Sequence, residues 1–395
     1  MRIGIDARFY GPVGKGLGRY TQEVVDNIIK ISAAESSAVF EFVIFLSAEN
    51  YNEFICDENN VKKVKLDIGW YGLKEQILMP FYIWKEHLDL IHFPHFNVPI
   101  LTPVKFVVTI HDLILTHFPT VRATTLSPLK YKLKNAAYRL VILNAIFRSC
   151  KIITVSNFTK NDLIKQFKVR ADKIVVTYEG VANLAKGRDS LFVAKLDNKE
   201  ILEQYHIAPK FLLYVGNAYP HKNLDFLINA FNVLHKKKPD LNLVLVGKND
   251  YFYSKVKECA SRLNLWQFNN SNNAVIFPGY VPDAQLEVLY QEAALYIFPS
   301  LYEGFGLPPL EAMGKSCPVL SSNRSSLPEI LGEAALYFDP ENIDDTLAKI
   351  DLVLSDENVR RRLITKGLAQ AKKYSWWECA DETFTVYKKA LNNLK

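Results

Sequence analysis

No apolar run in this chain approaches the ~20 residues of a membrane-spanning helix. The chain runs at once into RIGID (2–6), so no signal peptide is expected. Cysteines number five (Cys56, Cys150, Cys259, Cys317, Cys379), scattered and with no C-x-x-C pair. That excludes a disulfide framework and points to a reducing, cytoplasmic compartment. There is no D-x-D, no H-E-x-x-H and no EF-hand loop, so no metal is expected. A G-x-S-x-G elbow is missing too, which removes serine hydrolases, and no G-K-[ST] follows the glycine-rich stretch at 11–20, so that stretch is not a P-loop. Low-complexity tracts and short-period repeats are also absent.

What is present is ordinary for a globular protein: 395 residues, 49% apolar and 23% charged. The length allows two domains with separate cores. A net charge of +6 fits an anionic ligand or an anionic surface without choosing between them. Short apolar runs at 2–6, 41–46, 61–67, 90–94, 105–111, 151–156 and 173–178 alternate with helical stretches. A second series follows at 211–216, 242–247, 274–278, 295–300, 318–321 and 335–339. Most are continuous rather than alternating, the pattern of strands buried on both faces of a parallel sheet. The reading is α/β, with two doubly wound Rossmann-like domains facing across a cleft. Boundaries fall at 1–185, 186–209 (a linker with a short helix), 210–374 and 375–395. The last segment, an amphipathic helix, is most simply read as packing back on the N-terminal domain; capping its own domain is the alternative.

The most informative stretch is EGFGLPPLE at 303–311, a strand–loop–helix joint after LYIFPS. Glu303 on the loop and Glu311 one turn into the helix can both face a pocket. The backbone of Gly304, Phe305 and Gly306 can approach a ligand closely, beside a positive helix end. Stabilisation of the helix dipole could explain Glu303, but not the Gly-Phe-Gly spacer. A glycine-rich stretch, GPVGKGLGRY at 11–20, follows the first strand, with a helix expected to begin near Arg19; Gly16 and Gly18 would let the loop touch a ligand. Alone, such a loop could equally be a surface turn. His111 ends a strand where it faces the cleft mouth, with Asp112 as its partner or as a helix cap. His92 and His95 end another strand near it. GNAYPHKN at 216–223 brings Gly216, Asn217 and Lys222 to the start of the second half, where the lysine can reach phosphates.

Residues 122–151 contain Arg122, Lys130, Lys132, Lys134, Arg139, Arg148 and Lys151, and no acid. Among them stand Leu126, Leu129, Tyr131, Leu133, Tyr138, Leu140 and Phe147. Such a basic amphipathic helix can lie on an anionic membrane, or can be a solvated face. Nucleic acid is not expected, since no recognition module accompanies the charge.

Together, EGFGLPPLE, the preceding IFPS, LPEIL, VSNFTKNDL and YVGNAYPHKNL resemble the retaining glycosyltransferases of family GT4, with the GT-B fold. The resemblance covers nearly the whole chain and extends to bacterial mannosyltransferases of surface-polysaccharide assembly. It implies a nucleotide-sugar donor, GDP-mannose first, a glycan or lipid-linked acceptor, and no metal. His111, Glu303 and Lys222 would be catalytic: His111 and Glu303 against the sugar, Lys222 on the diphosphate. Glu311 would hold the ribose. Phe305, Gly306, Leu307, Gly216, Asn217 and Val281 would bind the donor. Gly16, Gly18 and Arg19 would lie by the diphosphate and acceptor. Two positions depart from the family: Asn217 stands where many relatives carry Arg, with Arg19 or Arg324 as replacements, and Glu179-Gly180 stands where many carry Asn-Gly. UDP- or dTDP-sugars are the alternative donors. An epimerase, a phosphorylase and a silent nucleotide binder are the competing classes.

Overall fold

A computed structural model of the chain describes residues 1–35, 40–119, 128–181, 197–270 and 272–392, with the side chains of 13, 15 and 128–134 set aside. Much of the expected linker, at 186–196, thus lies outside the described residues, as do Arg122 and Leu126 and the side chains of Leu129, Lys130, Tyr131, Lys132, Leu133 and Lys134. The chain forms two compact units: residues 1–115, 119–180 and 375–395, and residues 116–118 and 181–374.

Strands of the first unit are β1 (Arg2–Asp6), β2 (Glu41–Ser47), β3 (Val61–Leu66), β4 (Leu90–Phe93), β5 (Phe106–Ile110), β6 (Lys151–Thr154) and β7 (Ile174–Val176). They pair in parallel in the order β3-β2-β1-β4-β5-β6-β7. Phe42 to Leu46, Leu90 to Phe93 and Phe106 to Ile110 are buried throughout, which is why these runs do not alternate. Edge strand β3 differs: VKKVKL puts three lysines on the open rim, which discourages strand addition. Helices α1 (Lys15–Ala34), α2 (Leu73–Lys85), α3 (Ile114–His117), α4 (Pro128–Arg148) and α5 (Asn157–Phe167) follow strands of this sheet. The α5 start is capped by Ser156, whose Oγ accepts from the Thr159 N–H at 3.1 Å, worth about 1 kcal/mol.

The C-terminal helix Trp376–Asn392 belongs to this first unit and packs on α1. Phe384 stacks edge-on to Phe40, Lys388 pairs with Glu35 at 2.8 Å, and the Tyr387 hydroxyl meets His92 Nδ1 at 2.5 Å.

The second unit carries β8 (Phe211–Val215), β9 (Asn242–Val246), β10 (Val275–Gly279), β11 (Leu295–Phe298), β12 (Val319–Ser322) and β13 (Ala335–Phe338). Their order is β10-β9-β8-β11-β12-β13, again all parallel. Each sheet reverses its winding once, between β1 and β4 and between β8 and β11. Ligands of doubly wound sheets bind outside the strand carboxyl ends at such switch points. The thirteen strands are those the apolar runs predict, with ends shifted by a residue or two.

Candidate active site

In the second unit, the loops leaving β8 and β11 flank the switch point and carry Lys222 and Glu303. Lys222 ends the short turn Pro220–Lys222. Its Nζ donates to Glu303 Oε1 at 2.5 Å, with the two side chains only 11% and 10% exposed. The ammonium also sits 5.3 Å from the centre of the Phe298 ring, over the end of β11. A lysine so placed is an oriented cation in a low-dielectric pocket, and there its field acts far more strongly than in water. The two loops are tied together, because the Leu301 N–H donates to His221 O at 2.8 Å.

Glu303 is positioned from behind. Its N–H donates to Ser325 Oγ at 3.0 Å, and Ser326 Oγ lies 3.0 and 3.1 Å from the carbonyls of Glu303 and Phe305. These serines lie just before LPEIL, which forms the helix Leu327–Leu331. Gly306 caps the helix Leu307–Gly314 with φ +108°. The positive φ calls for glycine, and a Cβ there would also stand 2.9 Å from Leu327 Cδ2 and press on that side chain. Pro308 and Pro309 then set the first turn. Glu311, buried in that helix, accepts from the Tyr290 hydroxyl at 3.3 Å. Phe305 is buried and meets Tyr374 edge-on.

Gly216 donates its N–H to Val246 O at 3.0 Å. Asn217 is exposed, and its side-chain oxygen accepts from the Tyr219 N–H at 3.3 Å, closing the loop on itself. Val281 is buried just after β10. Arg324 is engaged elsewhere, donating to Asp339 at 3.0 Å and Glu341 at 2.9 Å. It would have to leave these two solvent-accessible carboxylates to act as the cation that position 217 lacks. Sequence reasoning missed His221 and Tyr302, neighbours of the pair, and His117 and Phe118, which stack on them at ring distances of 5.0 to 6.2 Å. Burial, with the Lys222 charge beside it, pushes His221 down to about 4. Only its adjacency to Lys222 in the sequence could have flagged it.

In the first unit, His111 leaves β5 with both ring nitrogens engaged. Nδ1 lies 3.1 Å from Glu179 Oε1, and Nε2 lies 2.9 Å from Pro94 O. Two acceptors favour an imidazolium that donates at both nitrogens. Burial acts to lower its pKa, but Glu179 outweighs this and holds it above the usual histidine value. The ring nitrogen thus meets Glu179, and the Asp112 charge acts on the ring in the same direction. Asp112 is itself a cap, accepting from the Ile114 N–H at 2.9 Å. The glutamate that departs from the family pattern therefore has a use. The turn is anchored further by Thr159 Oγ1, which donates to His111 O at 3.1 Å. His92 is buried between Tyr387 and Thr109, and burial together with the His111 charge pushes it down to about 3. It reads as a neutral core histidine.

The glycine-rich stretch also needs correction. Helix α1 begins at Lys15, so Gly16 and Gly18 lie in its first turn and Arg19 just after it, and not in a loop ahead of it. The reason is contact: a Cβ on Gly18 would come 2.0 Å from Gly11 O, and Gly11 N–H reaches Gly18 O at 3.3 Å. The glycine lets the turn at 11–14 close on the helix. Beside it, Arg8 is fully buried and holds Asp6 at 2.7 Å and Glu75 at 2.5 Å, and Glu75 also accepts from Asn97 at 2.8 Å. Among the described residues no group of three or more His, Cys, Asp or Glu could hold a metal ion.

Residues 197–370 match the family described as Glycosyl transferases group 1, and residues 61–182 match Glycosyltransferase Family 4. The chain is 30% identical over 387 residues to the O-antigen chain mannosyltransferase B of Escherichia coli, covering 94% of this chain and 96% of that protein. It is also 31% identical over 242 residues to the serotype-specific mannosyltransferase WbdA of Escherichia coli, covering 58% of this chain and 29% of that longer protein. Among solved structures, sucrose-phosphate synthase from Thermosynechococcus elongatus superposes with a TM-score of 0.72 at 17% identity, covering 100% of both chains. The chain belongs to glycosyltransferase family 4, on the GT-B fold.

Proposed function

We propose that the protein moves mannose from GDP-mannose, with retention of anomeric configuration, onto a glycan or lipid-linked acceptor in cell-surface polysaccharide assembly. It would act in the cytoplasm, at the inner face of the membrane. The observation that carries the reading is the buried Lys222–Glu303 pair at the second switch point. The choice of mannose and of a polysaccharide product takes its support from the full-length similarity to an O-antigen chain mannosyltransferase.

The chemistry follows from charge. Breaking the bond between the anomeric carbon and the diphosphate builds negative charge on phosphate oxygen. An incoming diphosphate competes with Glu303 for the Lys222 ammonium, so the cation is already aimed where that charge develops. The released Glu303 carboxylate is then free to accept from sugar hydroxyls. The N–H groups opening the helix Leu307–Gly314 add a positive end. Glu311 accepts from the ribose hydroxyls. The acceptor oxygen bonds to the anomeric carbon from the face that the phosphate leaves, and its proton passes to the departing phosphate oxygen. No protein general base is required. No metal is required either, since Lys222 supplies the cation.

Purified protein incubated with GDP-mannose, UDP-glucose, UDP-galactose and dTDP-rhamnose tests the reading. Slow release of GDP from GDP-mannose alone, unchanged by chelator, is the expected result. Release of UDP or dTDP instead would overturn the donor assignment, loss of activity in chelator the metal-free step, and no release from any donor the enzyme reading.

A further inference from the structure

Helix α2 is amphipathic in an unusual sense. Its inner side chains are Glu75, Met79 and Ile83, all buried. Its outer stripe, at spacings of four, four and three, is Leu73, Ile77, Phe81 and Trp84, exposed by 84%, 71%, 53% and 62%. A solvated helix normally turns polar residues outward, and four large apolar side chains in one stripe are not scattered surface residues. The stripe continues beyond α2. Ile100 N–H donates to Gln76 Oε1 at 2.9 Å, which holds the loop bearing Leu101 (74% exposed) against the helix. Arg148 donates to the carbonyls of Ile100 and Thr102, which brings up the end of α4 with Phe147 (60% exposed).

The exposed charge on α2 itself has one sign. The exposed charged side chains of α2 are Lys74 and Lys85. Both of its carboxylates point inward or away: Glu75 is bound by Arg8 and Asn97, and Glu86, just past its end, by Arg2 and Lys62. The exposed α4 side chain Arg139 adds a further cation. Between Asp89 and Asp162 the only acid in the sequence is Asp112, which caps a turn. An apolar stripe with tryptophan and phenylalanine, edged by lysine and arginine, matches the chemistry of an anionic bilayer surface. The rings and aliphatic chains enter the headgroup boundary while the cations meet lipid phosphates.

We propose that the face formed by α2, Leu101 and Phe147 docks the protein on an anionic lipid bilayer. This deepens the reading above, from which it takes only the lipid-linked acceptor. It also moves the membrane contact from the basic segment alone to α2, whose apolar side chains do the inserting. No helix among the described residues is long and apolar enough to cross the membrane.

The test is co-sedimentation of the intact chain with vesicles of phosphatidylcholine and phosphatidylglycerol in equal parts, and with phosphatidylcholine alone, without donor or acceptor. Binding to the anionic vesicles is expected, with a part that survives high salt because it is apolar. The double variant Ile77→Glu with Phe81→Glu should lower partitioning by more than about tenfold while GDP release from GDP-mannose and circular dichroism stay unchanged, since both side chains are exposed. Lys74→Glu with Lys85→Glu should remove mainly the salt-sensitive part. The proposal is overturned if the parent protein does not bind anionic vesicles at low salt, or if Ile77→Glu with Phe81→Glu binds as well as the parent. It is equally overturned if light scattering finds a dimer that this variant dissociates, for then a second copy covers the face. Because vesicle binding is read without donor or acceptor and GDP release is read separately, failure of binding leaves the transferase reading standing.

Discussion

Lys222 Nζ and Glu303 Oε1 lie 2.5 Å apart, both nearly buried, although 81 positions separate them in the chain. Removing one partner of a buried pair strands the other charge, so simple truncation confuses stability with chemistry. Glu303→Gln keeps the shape and an acceptor for Lys222. It should cost turnover about a hundredfold or more with little change in melting temperature. Lys222→Met should likewise depress kcat more than KM for donor. Full activity in Glu303→Gln would remove that carboxylate from the mechanism. The two measurements are donor turnover and a thermal melt on the same preparation.

The His111–Glu179 pair makes a pH prediction. The His111 folded pKa is raised above the ordinary 6.5. Its contribution to stability is therefore complete below 6.5 and is lost as pH rises through the folded pKa. His92, held down to about 3, acts in the opposite sense: its contribution is present above 6.5 and is lost as pH falls toward 3. Glu179→Gln should flatten the alkaline decline of stability between the two His111 pKa values and lower the His111 midpoint followed by NMR. An unchanged midpoint would mean that Glu179 does not charge the ring.

Gly306→Ala should destabilise the second unit by about 1–3 kcal/mol, from the positive φ and the clash with Leu327. It should also weaken donor binding, because the N–H groups opening Leu307–Gly314 are displaced. Chemical denaturation and a nucleotide titration read the two effects separately. A variant of parental stability and affinity would refute the geometric argument.

Among the described residues Arg8 is the cation that bridges Asp6 and Glu75, with its side chain 0% exposed. Arg8→Met should cost about 3–5 kcal/mol by leaving two buried carboxylates facing each other. Adding Asp6→Asn and Glu75→Gln should recover much of that loss. If the triple variant is no more stable than Arg8→Met, charge is not what the network balances. Urea melts of the three proteins decide it.

The alternation of apolar runs with helices, and with it both parallel sheets, was legible in the chain alone, because strand and helix periods are local properties. EGFGLPPLE was legible for the same reason: glycine and proline state backbone conformation at their own positions, and Gly306 adopts the positive φ that only such a residue accepts readily. Which side chains meet followed from the packing of distant segments. Strand order brought the Lys222 loop to the Glu303 loop, and brought Glu179 to His111 across 68 positions. Backbone contact between Gly18 and Gly11 started α1 at Lys15, earlier than the glycines suggest. The outward apolar stripe of α2 was equally hidden, since a helix of either orientation has the same pattern until its neighbours show which side is buried. Pairing, burial and facing depend on non-local packing, and no window of sequence contains them.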